Sequence, residues 1–227
     1  LCDAAALHDA RIRVVHQKNG GLSAARNSGL ARCTGDYLTF VDSDDFLHER
    51  YVEALLAPCR EQGCEASIGM FPRVPASEDD RPLRSTLLSG APAEVVTGRE
   101  TNLRLYTAKY WTRTTTAWNK LFRRDLWGDA RFPDIVLHED EALLYQVLYR
   151  AQKVAYVDET LYFYRINSTG LMANRCREKN LTMLAILDER QKFYEAQNEP
   201  VLLTRTRNRE FFCAVEYYQI VSRQPQP

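Results

Sequence analysis

Residues 36–41 (DYLTFV) read as a buried strand, and the run ends without a spacer in Asp42, Ser43, Asp44 and Asp45. In an open α/β sheet, ligands gather outside the carboxyl ends of the strands, so this junction says both what kind of sheet to expect and where its chemistry would sit. Side chains at alternate positions of an extended segment point the same way, which aligns Asp42 with Asp44. Converging carboxylate oxygens suit a hard divalent ion that also bridges phosphates. A plainer account makes one of these carboxylates the cap of a helix starting near His48, and it explains Asp45 well. It does not explain the further pair.

The surrounding pattern alternates strand and helix. Residues 11–16 (RIRVVH) form a short β-rich run, residues 22–33 carry helical spacing, and Gly35 breaks that helix. A second helix is expected over residues 49–62 and a strand over 65–71. Such alternation implies βαβ units and a mainly parallel sheet. Residues 72–92 shift to Pro, Ser, Arg and Asp and read as a long surface excursion. A short helix over 99–106, an aromatic and basic segment over 116–127, a helix over 138–149, strands over 153–157 and 161–166, and two amphipathic helices split near Asn198 complete the expectation.

The chain has 227 residues, and its 30 Lys+Arg balance 30 Asp+Glu. That balance argues against a general nucleic-acid binder, which needs a basic excess. No apolar run reaches the roughly 18–20 residues that cross a bilayer, and the first ten residues lack a basic leader. The expectation is an unexported cytoplasmic protein, with peripheral contact at the inner face of the membrane left open. Leu1 stands where an initiating Met is expected, which reads as a chain beginning partway into its gene. Six dispersed cysteines suggest neither a zinc nor a thioredoxin-type site, and buried reduced thiols are expected.

Three further segments hold candidate chemistry. Asn19, Gly20 and Gly21 form a turn before a helix that carries Arg26, where backbone amides and a guanidinium can hold an anion; Gly-Gly before a helix is also an ordinary turn. Glu139, Asp140 and Glu141 open a helix, as the macrodipole favours, and could equally mount a general base beside a cleft. Arg165 and Ser168 sit in a Gly-containing loop that could close over phosphates or be simple turn chemistry. Trp111, Trp118 and Trp127 are expected in the core.

Taken in order, NGGLSAARNSGL, GDYLTFVDSDDFL, WNKLFRRD, HEDEALLYQ and YFYRINSTGLM resemble a family 2 glycosyltransferase of the GT-A fold, over most of residues 11–172. The resemblance implies an α/β, Rossmann-like mixed and mainly parallel sheet flanked by helices, with a GT-A-like unit over 1–172 and a helical extension over 173–227. It implies an inverting, metal-dependent enzyme that moves a sugar from a nucleotide diphosphate, usually UDP, to a glycan or lipid-linked acceptor in cell-surface polysaccharide synthesis. By motif, Asp42 and Asp44 would hold Mn2+ or Mg2+, and Asp42 would also approach the donor ribose. Asn19, Gly20, Arg26, Arg165 and Ser168 would contact the donor, and Asp140 would be the base. The front of the family's pattern, a P-x-Y-N strand end followed by D-D-G-S-x-D, is not found in these residues. The chain therefore reads as a cropped enzyme or as a non-catalytic remnant of the same fold.

Overall fold

The computed structural model describes residues 1–135, 137–167 and 182–222. Its centre is a five-stranded sheet in which β1 (Tyr37–Leu38), β6 (Lys120–Arg123), β3 (Ala66–Met70), β7 (Val154–Thr160) and β5 (Glu94–Val96) lie side by side in that order. A smaller sheet holds β2 (Phe46–Leu47), β8 (Tyr162–Ile166) and β4 (Arg73–Pro75). The mixed α/β architecture agrees with expectation, but the pairing does not. Within the central sheet only β3 and β7 run parallel, and the other described pairs are antiparallel. The reason is β6, which inserts antiparallel between β1 and β3 and which periodicity alone could not place.

Alternation along the strands sorts side chains to two faces. Ile68, Phe122, Val154 and Tyr156 pack against Leu144, Val147 and Leu148 of α7 (Glu139–Tyr149). Leu121, Ala155 and Val157 turn to the opposite side and meet Tyr51, Leu55 and Cys59 of α3 (Tyr51–Gln62). Each large apolar side chain buried in this way contributes about 1.5–3 kcal/mol. The two helices thus clamp the sheet.

The helices at 21–30, 51–62 and 139–149 fall where their spacing predicts. α5 (Gly98–Arg104) starts on a capping box in which Thr97 and Glu100 exchange side-chain-to-backbone hydrogen bonds. Several expectations are corrected. Residues 11–16 form no strand; all but Val14 are exposed, and a β-rich run without a ladder partner stays irregular. The strand before Asp42 is confined to Tyr37 and Leu38, after which Phe40 makes one parallel bridge to Trp118. The excursion at 72–92 contains β4 and a short helix, α4 (Arg81–Arg84), because buried Val74 lets the segment add to β8. Cys59, Cys64 and Cys213 are buried free thiols as expected, whereas Cys2 is exposed and Cys33 half-buried. Cys176 lies outside the described residues.

α8 (Thr182–Ala196) and α9 (Pro200–Ser222) pack on one another and on the sheet domain. Tyr194 and Leu202 share a small core with Leu105 and Tyr145. Arg190 of α8 donates to both the carbonyl (2.6 Å) and the carboxylate (2.9 Å) of Glu141, in a pair that is almost fully buried. No helix among the described residues is long and apolar enough to cross a membrane.

Candidate active site

A turn sets up the first wall of the site. The Asn19 side chain accepts a 3.0 Å hydrogen bond from the Gly21 amide, and Gly21 takes a φ of 81°, which costs glycine little. α2 (Gly21–Leu30) follows and buries Arg26 on its inner face. Asn27, the next residue, exchanges two hydrogen bonds with the main chain of Phe132, accepting at 2.9 Å and donating at 2.8 Å. It thereby ties α2 to the segment that leads into α7. That segment ends at His138, whose φ of 67° places a non-glycine residue in the left-handed region immediately before Glu139 and Asp140.

Arg26 is the hub. Its guanidinium donates to Glu139 at 2.7 Å, to Asp140 at 2.5 Å and to Asp42 at 3.1 Å, and its side chain is 6% exposed. Burial works against the charged guanidinium, but the three carboxylates outweigh it and raise its pKa further. The second oxygen of Asp140 accepts a 2.8 Å hydrogen bond from the Ala117 amide. Burial dominates at Asp140 and pushes its pKa up to about 7, against the opposing pull of Arg26.

The turn that presents Ala117 is itself held from behind. Lys120 is fully buried, and its ammonium donates to the carbonyls of Arg113 (2.7 Å) and Thr116 (2.5 Å) and to the Asn119 side chain (2.9 Å). Burial lowers its pKa well below the usual lysine value, while the charge of Asp140 pulls the other way.

These groups open on a cleft of about 920 Å3, whose lining includes Arg26, Asp42, Asp44, Glu139, Asp140 and Trp111. Four of the residues put forward from the sequence, Arg26, Asp42, Asp44 and Asp140, therefore meet in one place. The others do not. Asn19 and Gly20 start α2 and do not line the cleft. Arg165 faces a neighbouring pocket of about 480 Å3, where it lies 3.5 Å from Asp80 and over the ring of Phe46; its chain direction along β8 decides this. The two cavities share Ser43, Asp44 and Asn167. Ser168 lies outside the described residues.

Asp45 caps no helix: it accepts from the Tyr162 hydroxyl at 2.6 Å and from the Arg165 amide at 2.8 Å, and so pins the acidic run to β8. Burial raises its pKa to about 6. Trp118 and Trp127 are buried, but Trp111 is 37% exposed and belongs to the cleft rather than the core. Sequence reasoning gave no part in the site to Lys120 or the Ala117 amide. A lysine inside the apolar strand run of residues 120–122 was the available signal for the first.

Asp42 and Asp44 present hard oxygen donors on the cleft wall, and no cluster of three or more His, Cys, Asp or Glu side chains suited to a metal occurs among the described residues. They would suit a hard divalent cation. Phe40 is bridged as a strand and Val41 is not helical, so Asp42 and Asp44 follow an extended segment and do not ride on a helix.

The fold is that of GT-A glycosyltransferases. It aligns with the crystal structure of S. aureus TarS 1-349 in complex with UDP-GlcNAc with a TM-score of 0.61 at 19% identity, covering 87% of this chain and 55% of that one. The chain belongs to glycosyl transferase family 2, whose family profile matches residues 1–129. Similar curated proteins include glycosyltransferase GlyA of Streptococcus pneumoniae, 33% identical over 75% of this chain, and glycosyltransferase GlyG of the same organism, 29% identical over 76%. This chain spans 25% of the length of GlyA and 58% of GlyG.

Proposed function

We propose that the chain carries the catalytic centre of an inverting, divalent-metal-dependent glycosyltransferase that uses a UDP-sugar donor and a glycan or lipid-linked acceptor in cell-surface polysaccharide assembly. The observation that carries this reading is the cluster in which buried Arg26 joins Asp42, Glu139 and Asp140 in one cleft, with Asp44 on the same wall. The bound UDP-GlcNAc of TarS supports the donor class. In this reading residues 1–172 form the transferase unit, residues 173–227 extend it, and the protein works at the cytoplasmic face of a membrane.

Asp140 has the properties of a general base. Its pKa near 7 keeps it basic enough to take a proton and ionised often enough to do so. The acceptor hydroxyl would give its proton to Asp140 as its oxygen bonds to the anomeric carbon, and the bond from that carbon to the diphosphate oxygen breaks on the opposite face. The electron pair leaves with UDP. When bound, the metal ion neutralises the charge that develops on this leaving group. Asp42 and Asp44 would hold the ion, while Arg26 fixes Asp42 and Asp140 relative to one another.

Calorimetric titration with UDP, in Mn2+ and then in EDTA, tests the donor half; binding only with the metal is expected, and no binding in either condition would identify a non-catalytic remnant. UDP release from UDP-GlcNAc tests the base. Asp140→Asn should keep UDP affinity and lose about 10^2 to 10^4-fold in rate, and near-normal turnover would remove Asp140 from the role.

A further inference from the structure

We propose that Trp111, with Arg209 of α9 beside it, is the sugar-stacking wall of the cleft and sets which acceptor is accepted. This proposal rests on the glycosyl-transfer reading above. Trp111 opens α6 (Trp111–Thr115), five residues before the turn whose Ala117 amide holds Asp140. The indole lines the same cleft as Asp140 and keeps 37% of its surface exposed, while the other two tryptophans are 6% and 2% exposed. An apolar ring left in the open beside buried carboxylates loses hydrophobic free energy unless something covers it.

The partner chemistry follows from what surrounds it. The Arg209 guanidinium lies 5.8 Å from the centre of the indole and is in no ion pair among the described residues. It is therefore free to donate in its fixed fork to a pair of neighbouring hydroxyls. An indole face matches the CH-rich face of a pyranose, and a fork of donors matches its equatorial hydroxyls. Trp111 and Asp140 line one cleft, so a ring stacked on the indole would share a cavity with the carboxylate that would take its proton. The C-terminal helix α9 thus sets a guanidinium against the indole that lines the cleft.

The test uses methyl β-D-glucopyranoside, methyl β-D-galactopyranoside and methyl N-acetyl-β-D-glucosaminide as probes, titrated to tens of millimolar with UDP and Mn2+ present or absent. At least one should change the tryptophan emission saturably, and because Trp118 also borders the cleft the change should be lost in Trp111→Ala. By calorimetry Trp111→Ala should weaken that sugar roughly tenfold, the equivalent of about 1.4 kcal/mol of stacking. Trp111→Phe should retain most of the affinity, which also controls for folding, and UDP–Mn2+ affinity should be unchanged in both variants. Equal sugar affinity in Trp111→Ala, or no saturable change with any probe, overturns the proposal. If the sugar response depends on Trp111 but the chain binds no UDP, the stacking wall stands and the transferase reading falls.

Discussion

Arg26 and Asp140 lie 114 positions apart in sequence and are joined inside the cleft by a 2.5 Å hydrogen bond. The same guanidinium holds Asp42 and Glu139, so one cation serves three carboxylates. A group so short of positive charge cannot keep every carboxylate fully ionised near neutrality, and Asp140, the one whose pKa rises to about 7, carries the consequence.

The pH dependence of turnover follows. As a base, Asp140 acts when deprotonated, so the rate of UDP release from UDP-GlcNAc should climb with pH through about 7 and then level off. Stability runs the other way: a carboxyl that is more basic in the folded than in the unfolded chain stabilises fully below about pH 4, and that contribution is lost as pH rises through 7. Rates and urea midpoints measured from pH 5 to 9 give both curves, and Asp140→Asn should flatten each. A wild-type rate independent of pH across this range would contradict the assignment.

Replacing Arg26 tests the hub itself. Arg26→Met leaves buried carboxylates without their partner and should cost about 3–5 kcal/mol of unfolding free energy at pH 8. The loss should be smaller at pH 5, where Asp140 is neutral. Arg26→Lys restores the charge without the planar fork and should fall between the two. A loss under about 1 kcal/mol for Arg26→Met, the range of an exposed ion pair, would mean that water already screens the group.

Gly98 tests how α5 seats against the far end of α7. A Cβ there would press into the carbonyl oxygens of Leu148 and Ala151, while the Gly98 amide donates to Ala151 at 2.9 Å. Gly98→Ala should therefore destabilise by about 3 kcal/mol or more, because the obstacle is backbone. Gly29→Ala is the contrast: nothing lies within 4 Å of its added Cβ, and helix propensity should stabilise α2 by about 0.5–1 kcal/mol. Thermal unfolding of the two variants side by side decides the matter, and similar melting temperatures would refute the packing.

Helical periodicity made α3, α7 and the two C-terminal helices legible, since their apolar spacing records burial directly. Motif order also brought Arg26, Asp42, Asp44 and Asp140 forward before any fold was known. Pairing partners were another matter. Nothing in residues 120–123 states that β6 enters antiparallel between β1 and β3, because strand alternation records which face is buried and not which neighbour is bonded. The placement of Arg165 was illegible for a related reason: one position along β8 decides which of two adjoining pockets a side chain enters. Trp111 looked like core because large aromatics usually are, and its contact with Arg209 of α9, almost a hundred residues later, is set by tertiary packing.

The grip of Arg190 on Glu141 ties α8 to the first turn of α7, a link that their positions in the sequence hide. The bond reaches the residue immediately after Asp140 and takes both its carboxylate and its carbonyl. Loss of α8 would thus do more than shorten the molecule: it would strand a buried negative charge in the first turn of α7. The placement of Asp140 in the first turn of α7 is therefore coupled to α8, a helix that lies far along the chain from it.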